Sequence, residues 1–97
     1  MRPWYVYVLE CRDGSLYTGI AVDVERRYAQ HVAGSGAKYT KSRPPVRLLA
    51  RFAYPDRASA SRAEYAIKQL PPARKRLLCE TGVLPQHIAA GVSDKTD

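Results

Sequence analysis

Two short apolar runs, Trp4 to Glu10 (WYVYVLE) and Ser15 to Ala21 (SLYTGIA), flank the turn dipeptide Asp13-Gly14, and both carry aromatic and β-branched residues. That pattern predicts a β-hairpin, because a tight turn needs the backbone freedom that glycine supplies. Alternation along a strand places Tyr5, Tyr7 and Leu9 on one face of the first run. Ser15, Tyr17 and Gly19 share a face of the second. A turn at Asp13-Gly14 makes Tyr7 and Tyr17 near neighbours, with the register left open.

Periodicity then changes. Asp23 is a good N-cap for a helix to about Val32, with Val24, Tyr28 and Val32 forming an apolar stripe expected to face the sheet. Arg27 and His31, also four apart, form an adjacent stripe expected at its rim. Ala33 to Pro45 (AGSGAKYTKSRPP) reads as a loop, rich in glycine, proline and cations. Its Gly34-x-Gly36 lacks the strand–turn–helix setting of a dinucleotide site. Val46 to Tyr54 predicts a third strand, with Val46, Leu48, Phe52 and Tyr54 on one side and Arg47 and Arg51 on the other. Ser59 to Leu70 has Ala60, Ala63, Ile67 and Leu70 at helical spacing; Pro71-Pro72 ends it before a short basic helix from Pro72 to Glu80 that stops at Gly82. The expected domain is residues 1–82, with residues 83–97 a partly disordered tail.

Charge narrows the partners. Sixteen Lys and Arg against nine Asp and Glu give a formal net charge of +7 and a pI near 9.7 over 97 residues. The cations run from Arg12 to Arg76 and are not gathered into one amphipathic stretch, which points to nucleic acid and away from a lipid surface. Cys11 and Cys79 lie far apart without a CxxC, and His31 and His87 complete no zinc spacing. No signal-like or membrane-spanning run occurs, so a reducing cytoplasm is the expected compartment.

Hydrolysis of a phosphodiester needs an activated water, relief of charge on the phosphoryl oxygens and help for the leaving alkoxide. Tyr17 can take a proton from water only where cations or a metal stabilise its phenolate, since a free phenol titrates at about 10. Arg27 offers a planar fork for two phosphate oxygens. Glu64 is a hard oxygen ligand able to anchor Mg²⁺ or Mn²⁺, with water and phosphate completing the shell. Each residue has a plainer reading as well. Glu64 stands four before Lys68, the usual surface ion pair; His31 can simply line its helix; Tyr5, Tyr28, Tyr54 and Tyr65 read as packing, and His87 has no assigned role.

The joint pattern resembles a known family. Tyr5-Val6-Tyr7, Tyr17-Thr18-Gly19, Arg27, His31 and Glu64 within AEYAIKQL are similar to the GIY-YIG nuclease superfamily. DGSLYTGIAVDVERR, GSGAKYTKSRPPVRLL and EYAIKQL resemble its small stand-alone bacterial (UPF0213-like) branch, akin to the nuclease domain of a structure-specific endonuclease subunit. The resemblance runs from Trp4 to about Leu70. It implies an α/β (α+β) sandwich with a small three-stranded antiparallel sheet flanked by helices, and one-metal hydrolysis of DNA. It assigns Tyr17 as general base or relay, Tyr7 as its hydrogen-bonded partner, Arg27 as phosphate clamp, His31 as an aid to proton transfer and Glu64 as ligand of a single Mg²⁺ or Mn²⁺. The chain departs from the family in having Tyr5-Val6 for Gly-Ile, no Asn anywhere, and Ile20 where some relatives carry Lys.

With no targeting domain in these residues, low sequence specificity is expected, with affinity resting on phosphate contacts from Lys38, Lys41, Arg43 and Arg47. Tyr39 or Trp4 is a candidate to stack on an exposed base, suiting flaps, branches or single-stranded ends of DNA (RNA is possible) in repair or recombination. Two rivals make different predictions. A binding module on this scaffold would hold nucleic acid without regard to Glu64; an adaptor would dock Arg74, Lys75 and Arg76 on a protein partner that supplies targeting.

Overall fold

The structure, a computed structural model, describes residues 2–89. At its centre lies β1 (Trp4–Cys11), paired antiparallel with β2 (Leu16–Ala21) on one side and β3 (Pro45–Tyr54) on the other, giving the order β2-β1-β3. The β1–β2 hairpin closes at Asp13-Gly14: Gly14 has φ 86°, and the Asp13 carboxylate accepts from the Ser15 N–H at 3.0 Å. The register pairs Tyr7 with Gly19 and Leu9 with Tyr17. Tyr5, Tyr7, Leu9, Tyr17 and Gly19 therefore share one face, as the alternation predicts.

Helices cover both faces. On the Tyr7 face lies α1 (Val24–Val32), capped by the Asp23 carboxylate accepting from the Arg26 N–H at 3.1 Å. There Val24, Tyr28 and Leu48 pack with Tyr7 and Leu9. On the other face, Ala60, Ala63 and Ile67 of α3 (Arg57–Lys68) and Leu78 of α4 (Pro72–Thr81) pack on Val6 and Tyr54. Asp56 caps α3 by accepting from the Ser59 N–H at 2.8 Å, and Gly82 ends α4 at φ 72°. The observed arrangement is the expected sandwich: a three-stranded antiparallel sheet with helices on either side. Trp4 packs against this second cluster, with the Arg57 guanidinium 5.6 Å from its ring centroid.

Several local expectations change. Strict alternation fails along β3, because its register against β1 shifts between Val8 and Leu9 and again between Glu10 and Cys11. Each irregularity inserts a residue and turns the following side chains over. Leu48 consequently joins the Tyr7 face while Phe52 and Tyr54 stay on the other, and Val46 is left 52% exposed. Arg47 and Arg51, expected on one side, pair with Glu10 and Tyr7 and so lie on opposite faces.

Within the expected loop, Lys38–Ser42 forms a short helix, α2. Tyr65, read as packing, is exposed. Part of the tail expected from residue 83 is regular structure. Gln86–Ala89 forms α5, Ile88 is buried in the Val6 cluster, and the buried Tyr54 hydroxyl donates to the Ile88 carbonyl at 2.8 Å. An isoleucine side chain and a satisfied phenol hold this segment down. The rest of the expected tail, residues 90–97, lies outside the described residues.

Candidate active site

The Tyr7 face gathers four rings. Tyr17 lies 5.0 Å from His31, 5.8 Å from Tyr39 and 6.4 Å from Tyr7 between ring centroids, and Tyr7 lies 5.9 Å from His31. The close approach of Tyr7 to β2 depends on its cross-strand partner. A Cβ on Gly19 would stand 2.6 Å from the Tyr7 hydroxyl oxygen and 2.8 Å from Tyr7 Cζ. The glycine of Tyr17-Thr18-Gly19 is therefore a steric requirement, leaving the Tyr7 ring room to lie across the strand toward α1.

Helix α1 is turned from the orientation its apolar stripe predicts. Val32 is 55% exposed, whereas His31 is fully buried. The reason is polar satisfaction: His31 Nε2 lies 2.9 Å from the Tyr7 hydroxyl and Nδ1 lies 2.7 Å from Thr40 Oγ1. A buried imidazole with both nitrogens bonded incurs little desolvation penalty, so it can displace a valine from the interior. The loop closes tightly over the ring. A Cβ on Gly36 would meet His31 Nδ1 at 2.5 Å.

Electrostatics divide the roles available to these groups. Burial, reinforced by neighbouring Tyr17, pushes the Tyr7 phenol up to about 12 against an opposing pull from Arg27; Glu64 adds to the rise. Tyr7 is a neutral phenol at physiological pH. Burial and the charge of Arg27 both hold His31 below the ordinary imidazole value of 6.5, so its ring is neutral at physiological pH. This shift has a consequence for stability. As pH falls below 6.5 the unfolded chain protonates His31 before the folded one does, so folding stability present above that pH drains away toward the lower folded value. In urea melts from pH 8 to 5, the wild type is expected to lose stability that His31→Gln does not; parallel curves would mean that His31 is not buried neutral.

Arg27 is half-buried on α1, where its Nη1 donates to Gln30 Oε1 at 2.8 Å, a contact that sets the direction of the guanidinium. Glu64 arrives from the opposite layer. It stands on α3, which packs against β2, an edge strand, and its charge reaches the Tyr7 phenol. Its carboxylate is 3.2 Å from Lys68 Nζ. The structure thus brings Tyr7, Tyr17, Arg27 and His31 together on one face, with Glu64 in the opposite layer and its charge felt at Tyr7.

The expected nucleic-acid contacts divide. Lys38 and Lys41 are exposed on α2. Tyr39 forms part of the ring cluster, with the Arg43 guanidinium 4.6 Å from its centroid, and Arg43 is also held 3.2 Å from the Asp13 carboxylate. Tyr39 is thus already stacked within the protein. Arg47 lies apart from the others, because the β3 irregularities carry it to the far face. There it donates to Glu10 at 2.6 Å, and Arg76 donates to the other Glu10 oxygen at 3.0 Å. Sequence reasoning missed Gln30 and Thr40. Gln30 was findable, three residues after Arg27 on one helix; Thr40 gave no signal, since it sits within a polar loop sequence.

Among the described residues no helix is long and apolar enough to cross a membrane, and both cysteines are free.

Residues 3–76 match the model of the GIY-YIG catalytic domain. A UPF0213 protein of Xanthomonas axonopodis pv. citri is 59% identical over 75 residues, covering 77% of this chain and 74% of that protein. One of Cupriavidus pinatubonensis is 54% identical over 78 residues, covering 80% and 87%. Among solved structures, the solution NMR structure of a UPF0213 protein from Bacillus halodurans matches with a TM-score of 0.53 at 43% identity, covering 96% of this chain and 99% of that one. The NMR structure of a protein from E. faecalis matches with a TM-score of 0.58 at 38% identity, covering 90% and 93%. Matched across most of its length in sequence and fold, the chain belongs to the GIY-YIG family, within its small UPF0213 group, and through that family to the nuclease class in general.

Proposed function

We propose that the chain is a metal-dependent phosphodiesterase acting on DNA, selective for strand shape over sequence, and used in repair or recombination. The observation that supports this best is the convergence of Tyr7, Tyr17 and His31 rings at 5.0–6.4 Å beside Arg27. A packing cluster has no need of a buried, doubly bonded histidine. In this reading the half-buried Tyr17 meets the attacking water as base or relay, and Arg27 clamps the scissile phosphate with its fork. Tyr7 and His31 stand behind Tyr17, sealed from solvent.

The donor set bears on the metal. Among the described residues no cluster of three or more His, Cys, Asp or Glu could cage an ion, which leaves Glu64 as a single carboxylate. That suits Mg²⁺ or Mn²⁺, which bind through one or two carboxylates and keep water and phosphate oxygens in the rest of the shell. Glu64 would hold the ion, releasing Lys68. When bound, such an ion polarises the phosphoryl oxygens and stabilises charge on the leaving oxygen.

One observation favours a second reading, a nucleic-acid-binding module. The Glu64–Lys68 pair at 3.2 Å is also an ordinary i,i+4 surface contact. The test is incubation of end-labelled single-stranded, duplex, flap and branched DNA, and a matched RNA, with wild type in Mg²⁺, Mn²⁺ or EDTA. Cleavage that requires the metal is expected, together with binding that weakens steeply with salt because phosphate contacts dominate. Binding without any product under all three conditions would leave the module reading.

A further inference from the structure

The Thr40 hydroxyl has one proton to give and two acceptors within reach, the Ala37 carbonyl and His31 Nδ1. Thr40 Oγ1 donates to the Ala37 carbonyl at 2.9 Å, and a carbonyl can only accept. The same Oγ1 lies 2.7 Å from His31 Nδ1; with its proton given to the carbonyl, Thr40 accepts in that contact and Nδ1 carries the hydrogen. A neutral imidazole with its proton on Nδ1 has a lone pair on Nε2. Nε2 is 2.9 Å from the Tyr7 oxygen, so Tyr7 donates there. The chain of bonds runs one way, from Tyr7 through His31 and Thr40 to the Ala37 carbonyl.

We propose that Thr40 is a positioning residue that keeps the His31 proton on Nδ1 and thereby leaves His31 Nε2 as the acceptor for the Tyr7 proton when Tyr7 relays one from the site. This role rests on the nuclease reading; the direction of the bonds does not. The Tyr7 and Tyr17 ring centroids are 6.4 Å apart, so a proton that leaves the attacking water through Tyr17 crosses by an intervening water and forms an O–H bond at the Tyr7 oxygen. Tyr7's original O–H bond breaks, and its proton forms an N–H bond at Nε2. Tyr7 remains a neutral phenol throughout and His31 becomes a short-lived imidazolium, opposed by burial and by the Arg27 charge, still donating from Nδ1 to Thr40. The buried phenolate of Tyr7 is never required.

The surroundings are built for this arrangement. Thr40 is 1% exposed, and the short helix α2 that carries it interrupts a sequence otherwise suited to a loop. Gly36 permits the loop to seat against the ring, where a Cβ would stand 3.0 Å from His31 Cα. With the opposite tautomer, Nε2 and Tyr7 could still bond, but with Tyr7 as acceptor. Its proton would then have no exit.

Long-range ¹H–¹⁵N spectra of the imidazole ring read the tautomer directly, without any assay of activity. In a His87→Gln background His31 is the only histidine. The wild-type ring is expected to be protonated at Nδ1. Thr40→Val, which keeps the shape and removes the hydroxyl, is expected to move the proton to Nε2 and lower DNA cleavage about 10–100-fold, by analogy with the loss when the partner that orients a metal-bound histidine is removed. Thr40→Ser should restore both. Protonation at Nε2 in the wild type overturns the proposal even if Thr40→Val does not fold. So does a folded Thr40→Val with unchanged tautomer or unchanged cleavage. A wild type with the Nδ1 tautomer that cuts no DNA overturns instead the nuclease reading, and the relay with it, while the bond directions stand.

Discussion

Arg27→Ala is expected to lower DNA cleavage about 10²–10³-fold, the loss typical of removing one preorganised donor from a site of developing negative charge. Thermal stability should change little, because the Arg27 guanidinium contacts the polar Gln30 and the side chain is only half-buried. Arg27→Lys should recover only part of the rate, since an ammonium is a point charge and cannot bind two oxygens in one plane. Tyr17→Phe is expected to cost about 10²–10⁴-fold, the range for a general base or its relay, and Glu64→Ala should remove the metal response. The three are members of one unit, so a double mutant should fall little below the worse single mutant. Single-turnover cleavage together with DNA binding separates the outcomes. Undiminished cleavage by all three folded variants would reduce the ring cluster to packing.

Gly19→Ala should damage both the fold and the site. The added carbon would stand 2.6 Å from the Tyr7 hydroxyl, 2.8 Å from Tyr7 Cζ and 3.0 Å from Tyr17 Cε2. Tyr7 is 1% exposed and packed on Leu9 and Val24, so it cannot swing aside freely. Overpacking of this kind costs about 1–3 kcal/mol, and in a domain of this size each kcal/mol lowers Tm by about 4–8 °C. The functional loss is expected to exceed the thermal one. A shift of about 1 Å in a group that must be aligned can cost on the order of 10²-fold in rate, and the Tyr7 hydroxyl has to move at least part of that way. Gly14→Ala is the contrast. Gly14 has φ 86° with open space around it, so alanine there strains the hairpin by about 1 kcal/mol but should leave cleavage intact. Differential scanning calorimetry beside a cleavage assay distinguishes the pair; equal effects on activity would remove the steric account of Gly19.

What the sequence made legible was local. The Asp13-Gly14 turn, the Asp23 N-cap, the Pro71-Pro72 break and the Gly82 stop each act within a few residues, and each lies where its chemistry predicts. The alternation of Tyr5, Tyr7 and Leu9 was readable because a hairpin with a tight turn keeps its register. Tyr7, Tyr17, Arg27 and His31 could be brought together from spacing and resemblance. Their contacts could not. Hydrophobic periodicity ranks valine above histidine for the interior, and only the tertiary partners Tyr7 and Thr40 reverse that order for His31 and Val32. Arg47 was misplaced because the irregular pairing of β3 depends on a strand some forty residues away, which no local pattern reports. The burial of Ile88 was hidden for the same reason: its partner Tyr54 lies on another element.

The strand order β2-β1-β3 also has a bearing on synthesis. Residues 4–42, which supply the hairpin, α1 and α2, leave the ribosome as one stretch whose contacts are mostly local and so form early. The opposite face of β1 carries Trp4, Val6 and Val8, and its cover comes from β3 and the helices between residues 57 and 89. At translation speeds of about 5–20 residues per second, that later stretch takes a few seconds more to make. During this interval a nascent chain with most of its rings and Arg27 already grouped still presents a bare apolar sheet surface, and chaperone capture should be strongest there. The bond from the Tyr54 hydroxyl to the Ile88 carbonyl ties β3 to the last of these helices.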